Sequence, residues 1–273
     1  MRMDQCSSDR FQFGENWLKF LDVLDESRIE YAIQSICANL DVKNLSDKSF
    51  LDIGSGSGLF SLAARRLGAR VHSFDYDPHS VACTAELKRR YFIDDAQWLV
   101  EQGSALDQEY LSRLGGGFDI VYSWGVLHHT GGMWQALENV VPLVSTGGQL
   151  FIAIYNDQGR ASKIWAAIKR IYNRFPAGLR WMIMGPAFVR LWGPTLLRDL
   201  LRGKPFSSWK EYNGNGRGMS PWRDVVDWVG GYPFEVAKPE EIFEFYRDRG
   251  FQLQQLKTCA GGLGCNEFVF LKE

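Results

Sequence analysis

Cysteine pairs, leader-like segments, internal repeats and excess charge of either sign are all scarce in this chain. Its five cysteines, Cys6, Cys37, Cys83, Cys259 and Cys265, are odd in number and scattered through 273 residues. None forms a pair at metal-ligand spacing, which excludes a zinc module and a disulfide-stapled scaffold. Reduced thiols in a cytoplasmic protein are the expectation. The opening residues show no basic-then-apolar leader pattern. No apolar run is long enough to span a bilayer: Arg180 and Arg190 break the most hydrophobic stretch, and Pro186 and Pro194 are expected to interrupt its helices. A net charge of −1 gives no whole-chain attraction for nucleic acid. What is present, 45% hydrophobic and 23% charged residues, suits one large core or one domain carrying an insertion.

The densest local pattern is Ser49-Phe50-Leu51-Asp52-Ile53-Gly54-Ser55-Gly56-Ser57-Gly58. It reads as a buried strand running into a glycine-rich turn that opens a helix. Glycines at alternate positions let the backbone pass close to a ligand, and the helix start offers unpaired N–H groups. Asp52 beside that turn repels a pyrophosphate and suits a cationic amine. A second short strand, 70–74, leads to Asp75, placed to accept hydrogen bonds from ribose hydroxyls. Further strands are expected near 97–100, 118–123 and 148–154, with helices between them near 58–67, 79–90, 108–114 and 132–143. This alternation is that of a doubly wound α/β fold. A helix from Pro239 and two strands, 251–258 and 267–272, close the sequence.

At the glycine turn, the ribose carboxylate and the fourth strand, the chain resembles the class I S-adenosylmethionine-dependent methyltransferases. Their first motif is acidic-x-Gly-x-Gly-x-Gly. The rival, a dinucleotide-binding fold, usually spaces its glycines G-x-G-x-x-G, whereas here the third glycine comes one residue sooner. The resemblance implies a mainly parallel seven-stranded sheet of order 3-2-1-4-5-7-6, its last strand antiparallel, built from 48–157 and 238–273 after a helical lead-in at 1–47. It also implies S-adenosylmethionine as cofactor and S-adenosylhomocysteine as product. Gly54, Ser55, Gly56 and Gly58 would hold the methionine part, with Asp52 reaching its ammonium, and Asp75 would bind the ribose. Tyr76 is a candidate for the adenine face. Ser104 and Ala105 follow the third strand; the family often has an acidic residue where Ser104 stands, so Ser104 or Asp107 would take the adenine amino group. Ser123 and Trp124 end the fourth strand at the methionine end. Trp17 either folds over the cofactor or anchors the core.

A sulfonium activates its own methyl group, so a base matters only if the acceptor must lose a proton. His128 and His129, in the loop after the fourth strand, are the candidates, with His129 preferred; the alternative is that they cap or pack the loop. Adjacent side chains diverge, so the pair is no metal site. Tyr155 and Asn156 end the fifth strand toward an acceptor cavity. Arg217 either clamps an anionic group or pairs with Asp224 or Asp227, and Asn266 is an acceptor contact or a strand-end polar residue.

The stretch 158–237 is too long for a simple loop and is expected to be a helical insertion over the carboxyl edge of the sheet, an acceptor lid. Between Gln158 and Lys210 eleven Lys and Arg face only Asp199, a net +10, with aromatic residues interleaved. Three readings compete: a lid with a solvated basic exterior, peripheral contact of 160–210 with an anionic membrane, and a phosphate-backbone track, ranked last because no RNA-binding module accompanies it. The function expected is methyl transfer to an oxygen of a small-molecule or glycan-like acceptor. The alternatives are a methylase of a lipid-linked quinone, since the chain also resembles bacterial quinone-methylating enzymes, and a non-catalytic cofactor-binding partner subunit.

Overall fold

A computed structural model describes residues 24–212 and 221–273, together with Phe11, Gly14, Trp17, Phe20 and Leu21. Arg217 lies outside the described residues. Helix α1, Glu26–Leu40, begins where Asp25 accepts a hydrogen bond from the Arg28 N–H at 3.0 Å, the usual chemistry of a helix start. It buries Ile29, Ala32, Ile36 and Leu40 against the core.

Seven strands form one sheet: β1 Ser49–Ile53, β2 Arg70–Asp75, β3 Trp98–Gln102, β4 Phe118–Trp124, β5 Val144–Tyr155, β6 Phe251–Lys257 and β7 Cys265–Lys272. Their order is β3-β2-β1-β4-β5-β7-β6. The first five run parallel, and β7 is antiparallel to both β5 and β6. Fold class and strand order are those expected. Between the strands lie α2 Leu59–Arg66, α3 Pro78–Tyr91, α4 Gln108–Arg113, α5 Met133–Val140 and, before β6, α10 Pro239–Arg247. Alternate residues feed separate cores on the two sheet faces: Leu51 and Ile53 on one, Phe50 on the other. A sheet buried on both sides suits the apolar run Leu150 to Ile154 in β5.

The chain leaves the sheet after Tyr155 and returns at Ala237, which forms an isolated parallel bridge with Asn156. Between those points lie α6 Arg160–Arg174, α7 Trp181–Leu201, α8 Ser207–Tyr212 and α9 Pro221–Gly230. These helices share a small core of their own, with Trp165, Tyr172, Met184, Ala187, Val225 and Val229 at its centre. One expectation is corrected here. Pro186 and Pro194 do not interrupt the helix; both sit inside α7. Each removes the bond to the carbonyl four residues back, Met182 and Arg190. Both of those residues are on the exposed side, where water can satisfy the carbonyls.

Candidate functional site

The carboxyl ends of β1, β2, β4 and β5 open into a cavity of about 820 Å³ that extends beneath α7 to α9. Its near end is the glycine turn. Gly54, Gly56 and Gly58 have φ of 77°, 54° and 78°, the left-handed region. A Cβ at Gly54 would lie 2.3 Å from Val126, and one at Gly58 would lie 2.8 Å from the Thr84 Cα. The glycines are therefore demanded first by the chain's own neighbours rather than by a ligand. Gly54 and Ser55 donate to the Phe74 carbonyl at 2.8 and 3.1 Å, tying the turn to β2.

Asp75, at the end of β2, accepts from the Gly56 N–H and the Asp77 N–H, each at 2.9 Å. Asp77 in turn caps α3 by accepting from His79 N–H at 2.9 Å. Asp52 is buried at the cavity wall, and a four-member relay fixes it. Trp98 Nε1 donates to Ser73 Oγ at 2.9 Å, Ser73 to Ser61 Oγ at 2.7 Å, and Ser61 to Asp52 Oδ2. Burial pushes the Asp52 carboxyl up to about 7; the Ser61 hydroxyl opposes this and the charge of Asp75 adds to it. Among the described residues no cation pairs with Asp52. A ligand bringing an ammonium or sulfonium would supply the missing charge, so these residues fit S-adenosylmethionine.

On the side of β3, Tyr76, Ser104, Ala105 and Leu106 line the cavity. Ser104 Oγ accepts from Leu106 N–H at 3.2 Å. Asp107, the alternative adenine partner, caps α4 by accepting from Tyr110 N–H at 3.0 Å. Trp17 and Trp124 also form part of the wall, and Trp124 Nε1 donates to Glu267 at 3.1 Å.

At the far end, His129, Tyr155, Trp192, Tyr212, Asp227 and Trp228 line the cavity. His129 is 7% exposed. Its Nδ1 lies 2.6 Å from the Pro233 carbonyl oxygen. A carbonyl only accepts, so Nδ1 carries the proton and Nε2 is the lone-pair nitrogen of the neutral ring. The Tyr155 ring is packed by His129, Trp228 and Phe234 at centroid distances of 5.4, 5.3 and 5.2 Å.

Several expected residues stand elsewhere. His128 is fully buried behind His129, off the cavity wall. The Tyr155 N–H donates to its Nδ1 at 3.4 Å, and its Nε2 has no partner among the described residues. Burial, with His129 and Lys169 nearby, holds its imidazole well below the ordinary histidine range. It cannot touch an acceptor as a base. Asn156 and Asn266 are also off the wall: Asn266 Nδ2 donates to Asn156 Oδ1 at 3.1 Å and its Oδ1 accepts from Cys259 N–H. They brace the exit from β5. Ser123 donates to the Ile53 carbonyl at 3.1 Å and Gly58 starts α2; neither lines the cavity.

Sequence reasoning missed Lys169. It is fully buried in α6, donating to the Trp228 carbonyl and lying 4.4 and 4.6 Å from the centroids of the Trp228 and Phe234 rings. Burial lowers its ammonium to about 7, with Asp227 opposing. Its signal was present: Ser162, Trp165, Lys169 and Tyr172 form the buried stripe of α6, and a lysine in such a stripe is rare. Trp192 and Glu211 were also missed as cavity residues.

The family model of a methyltransferase domain matches residues 51–150. The ubiquinone biosynthesis O-methyltransferase of Caulobacter vibrioides is 26% identical over 191 residues, 68% of this chain and 71% of that protein. These matches support a class I S-adenosylmethionine-dependent methyltransferase. The protein of the same name from Erwinia tasmaniensis is 32% identical over 123 residues, and this chain spans just under half, 46%, of its length. Among solved structures, a SAM-dependent methyltransferase from Anabaena variabilis aligns with 99% of this chain and 96% of its own at a TM-score of 0.55 and 12% identity. Magnesium protoporphyrin IX methyltransferase from Synechocystis with bound SAM covers 90% of this chain and 79% of its own, with a TM-score of 0.52 and 12% identity. Those two likenesses concern the methyltransferase fold.

Proposed function

We propose that this methyltransferase moves a methyl group from S-adenosylmethionine to an oxygen of a small-molecule acceptor held between the sheet edge and α7 to α9. When bound, the cofactor supplies a sulfonium methyl group that needs no further activation. The chain's part is to place and to deprotonate. Asp75 holds the ribose, Asp52 faces the ammonium, and Tyr76 and Ser104 flank the adenine. The lid positions the acceptor, the proximity effect that dominates such transfers. One observation carries the choice of oxygen: His129 is on the cavity wall with its proton fixed on Nδ1 by the Pro233 carbonyl. Its Nε2 is then the nitrogen that takes a hydroxyl proton as the methyl group arrives.

The test is incubation with isotopically labelled methyl donor and cell metabolite fractions, followed by mass spectrometry. A labelled product carrying an O-methyl group, absent with His129→Ala, is the expected result. No product with any fraction, despite tight cofactor binding, would instead favour a non-catalytic partner subunit. A second acceptor, a lipid-linked quinone reached at a membrane surface in the cytoplasm, is favoured by the relatives named for ubiquinone biosynthesis. Adding quinol-containing extracts to the same assay separates it from a water-soluble acceptor.

A further inference from the structure

Helix α7 has two faces with different business. Trp192 and Thr195 line the cavity, while Met184 and Ala187 enter the core shared with α6 and α9. The opposite side is apolar and open to water. Trp181 is 69% exposed, Val189 66%, Leu197 57% and Leu201 80%. With Pro186 and Pro194, also exposed, Val189, Leu197 and Leu201 follow the helical repeat and form one stripe, while Trp181 is exposed at the start of the helix on another side. From Pro186 to Leu201 that stripe is about 23 Å long. A patch of this kind marks an interaction surface.

Charge says which kind. Arg190 is exposed within the stripe, and Arg198 and Arg202 are exposed toward its C-terminal end. Among the described residues no carboxylate pairs with Arg190 or Arg198, while Asp199 attracts Arg202. Asp199, the one acid between 158 and 210, is buried and accepts from the N–H and Oγ of Ser208, each at 2.8 Å. Apolar side chains set among exposed cations, with one acid against three arginines, match the acyl and headgroup layers of an anionic lipid surface. Among the described residues no helix is long and apolar enough to cross a membrane, so the contact is peripheral.

We propose that the exposed face of α7 docks on an anionic bilayer, setting the cavity wall one helix thickness from the lipid. The proposal rests on the membrane-contact reading of residues 160–210 and is independent of the methyl-transfer chemistry. Sedimentation with phosphatidylglycerol–phosphatidylcholine vesicles, against phosphatidylcholine alone, tests it at low salt without cofactor. The protein pellets with the first and stays in solution with the second. Reversing Arg190, Arg198 and Arg202 to Glu weakens the binding on the order of a hundredfold, and Val189→Glu with Leu197→Glu abolishes it. Each variant keeps its melting temperature and its calorimetric affinity for S-adenosylmethionine, which separates lost docking from lost folding. Failure of the unaltered protein to pellet, or undiminished pelleting of both variants, overturns the proposal. So does a dimer in light scattering that the Glu variants convert to monomer without vesicle binding, since the face would then belong to a second copy. A failed methyl-transfer assay beside intact vesicle binding would count against the chemistry alone.

Discussion

The two ends of the cavity are held together by different forces. At the sheet edge, main-chain hydrogen bonds and short polar side chains fix everything: Asp75 by two N–H groups, the turn by the Phe74 carbonyl, Asp52 by the serine relay. Under the helical insertion, ring packing does the same work, with Tyr155, Trp228 and Phe234 in mutual contact around Lys169. The first arrangement is directional and leaves little choice of residue. The second depends on volume and tolerates different sets of rings. A cofactor common to a whole family suits the first; an acceptor that differs between members suits the second.

Substitutions can break this contrast, and the largest effect is expected in turnover. His129→Ala slows methyl transfer by about 10²–10⁴-fold, the range for losing a general base, while calorimetry finds cofactor affinity unchanged. Next comes Gly54→Val, which forces a side chain against Val126 at a left-handed φ. It costs about 3 kcal/mol or more of stability, read by denaturant unfolding. Asp75→Ala weakens cofactor binding by about 2–3 kcal/mol if two charge-assisted bonds are lost; unaltered affinity would remove the ribose assignment. Trp228→Phe, a change of ring alone, raises the acceptor KM severalfold and spares the cofactor Kd. An equal loss in both constants would erase the distinction between the two ends.

Two pH effects sharpen the contrast further. Asp52 has a raised folded-state value of about 7, so the folded chain holds its proton more tightly than the unfolded one. Ligand-free stability therefore falls as pH rises from about 4 to about 7. Cofactor affinity runs the other way: it declines as pH drops below 7 and the carboxylate is neutralised. Asp52→Asn flattens both profiles. Lys169 is lowered to about 7, so the unfolded chain is the better proton acceptor. Stability gains from this group as pH rises from about 7 toward the ordinary lysine value, and Lys169→Met removes that slope in thermal melts.

Much of the sheet-edge end was legible in the sequence because its determinants are local. Glycines at alternate positions, a carboxylate at each strand end and the strand-helix alternation all lie within short windows. The relay to Asp52 was not legible, since Ser61, Ser73 and Trp98 come from α2, β2 and β3 and meet only in the folded sheet. Nor could adjacency tell His128 from His129. The short turn at Leu127–His129 sends one ring into the core and the other to the cavity wall. In the insertion, proline misled because a helix with its prolines on the wet side need not stop. Lys169 was readable in principle, as a charge in a buried stripe, but basic residues so dominate 158–210 that it looked like one more of them.

The bridge between Asn156 and Ala237 has a consequence of its own. Exit and re-entry are hydrogen-bonded neighbours, so the helices between them form a cassette whose two ends meet on the scaffold, braced further by Pro233 against His129 and by Trp228 and Phe234 against Tyr155. Excising it and joining the ends with a short linker should leave the remaining strands paired and the nucleoside pocket intact. Transplanting the equivalent cassette from a relative should then transfer acceptor preference in one step, a route by which such enzymes can acquire new substrates without rebuilding their cores.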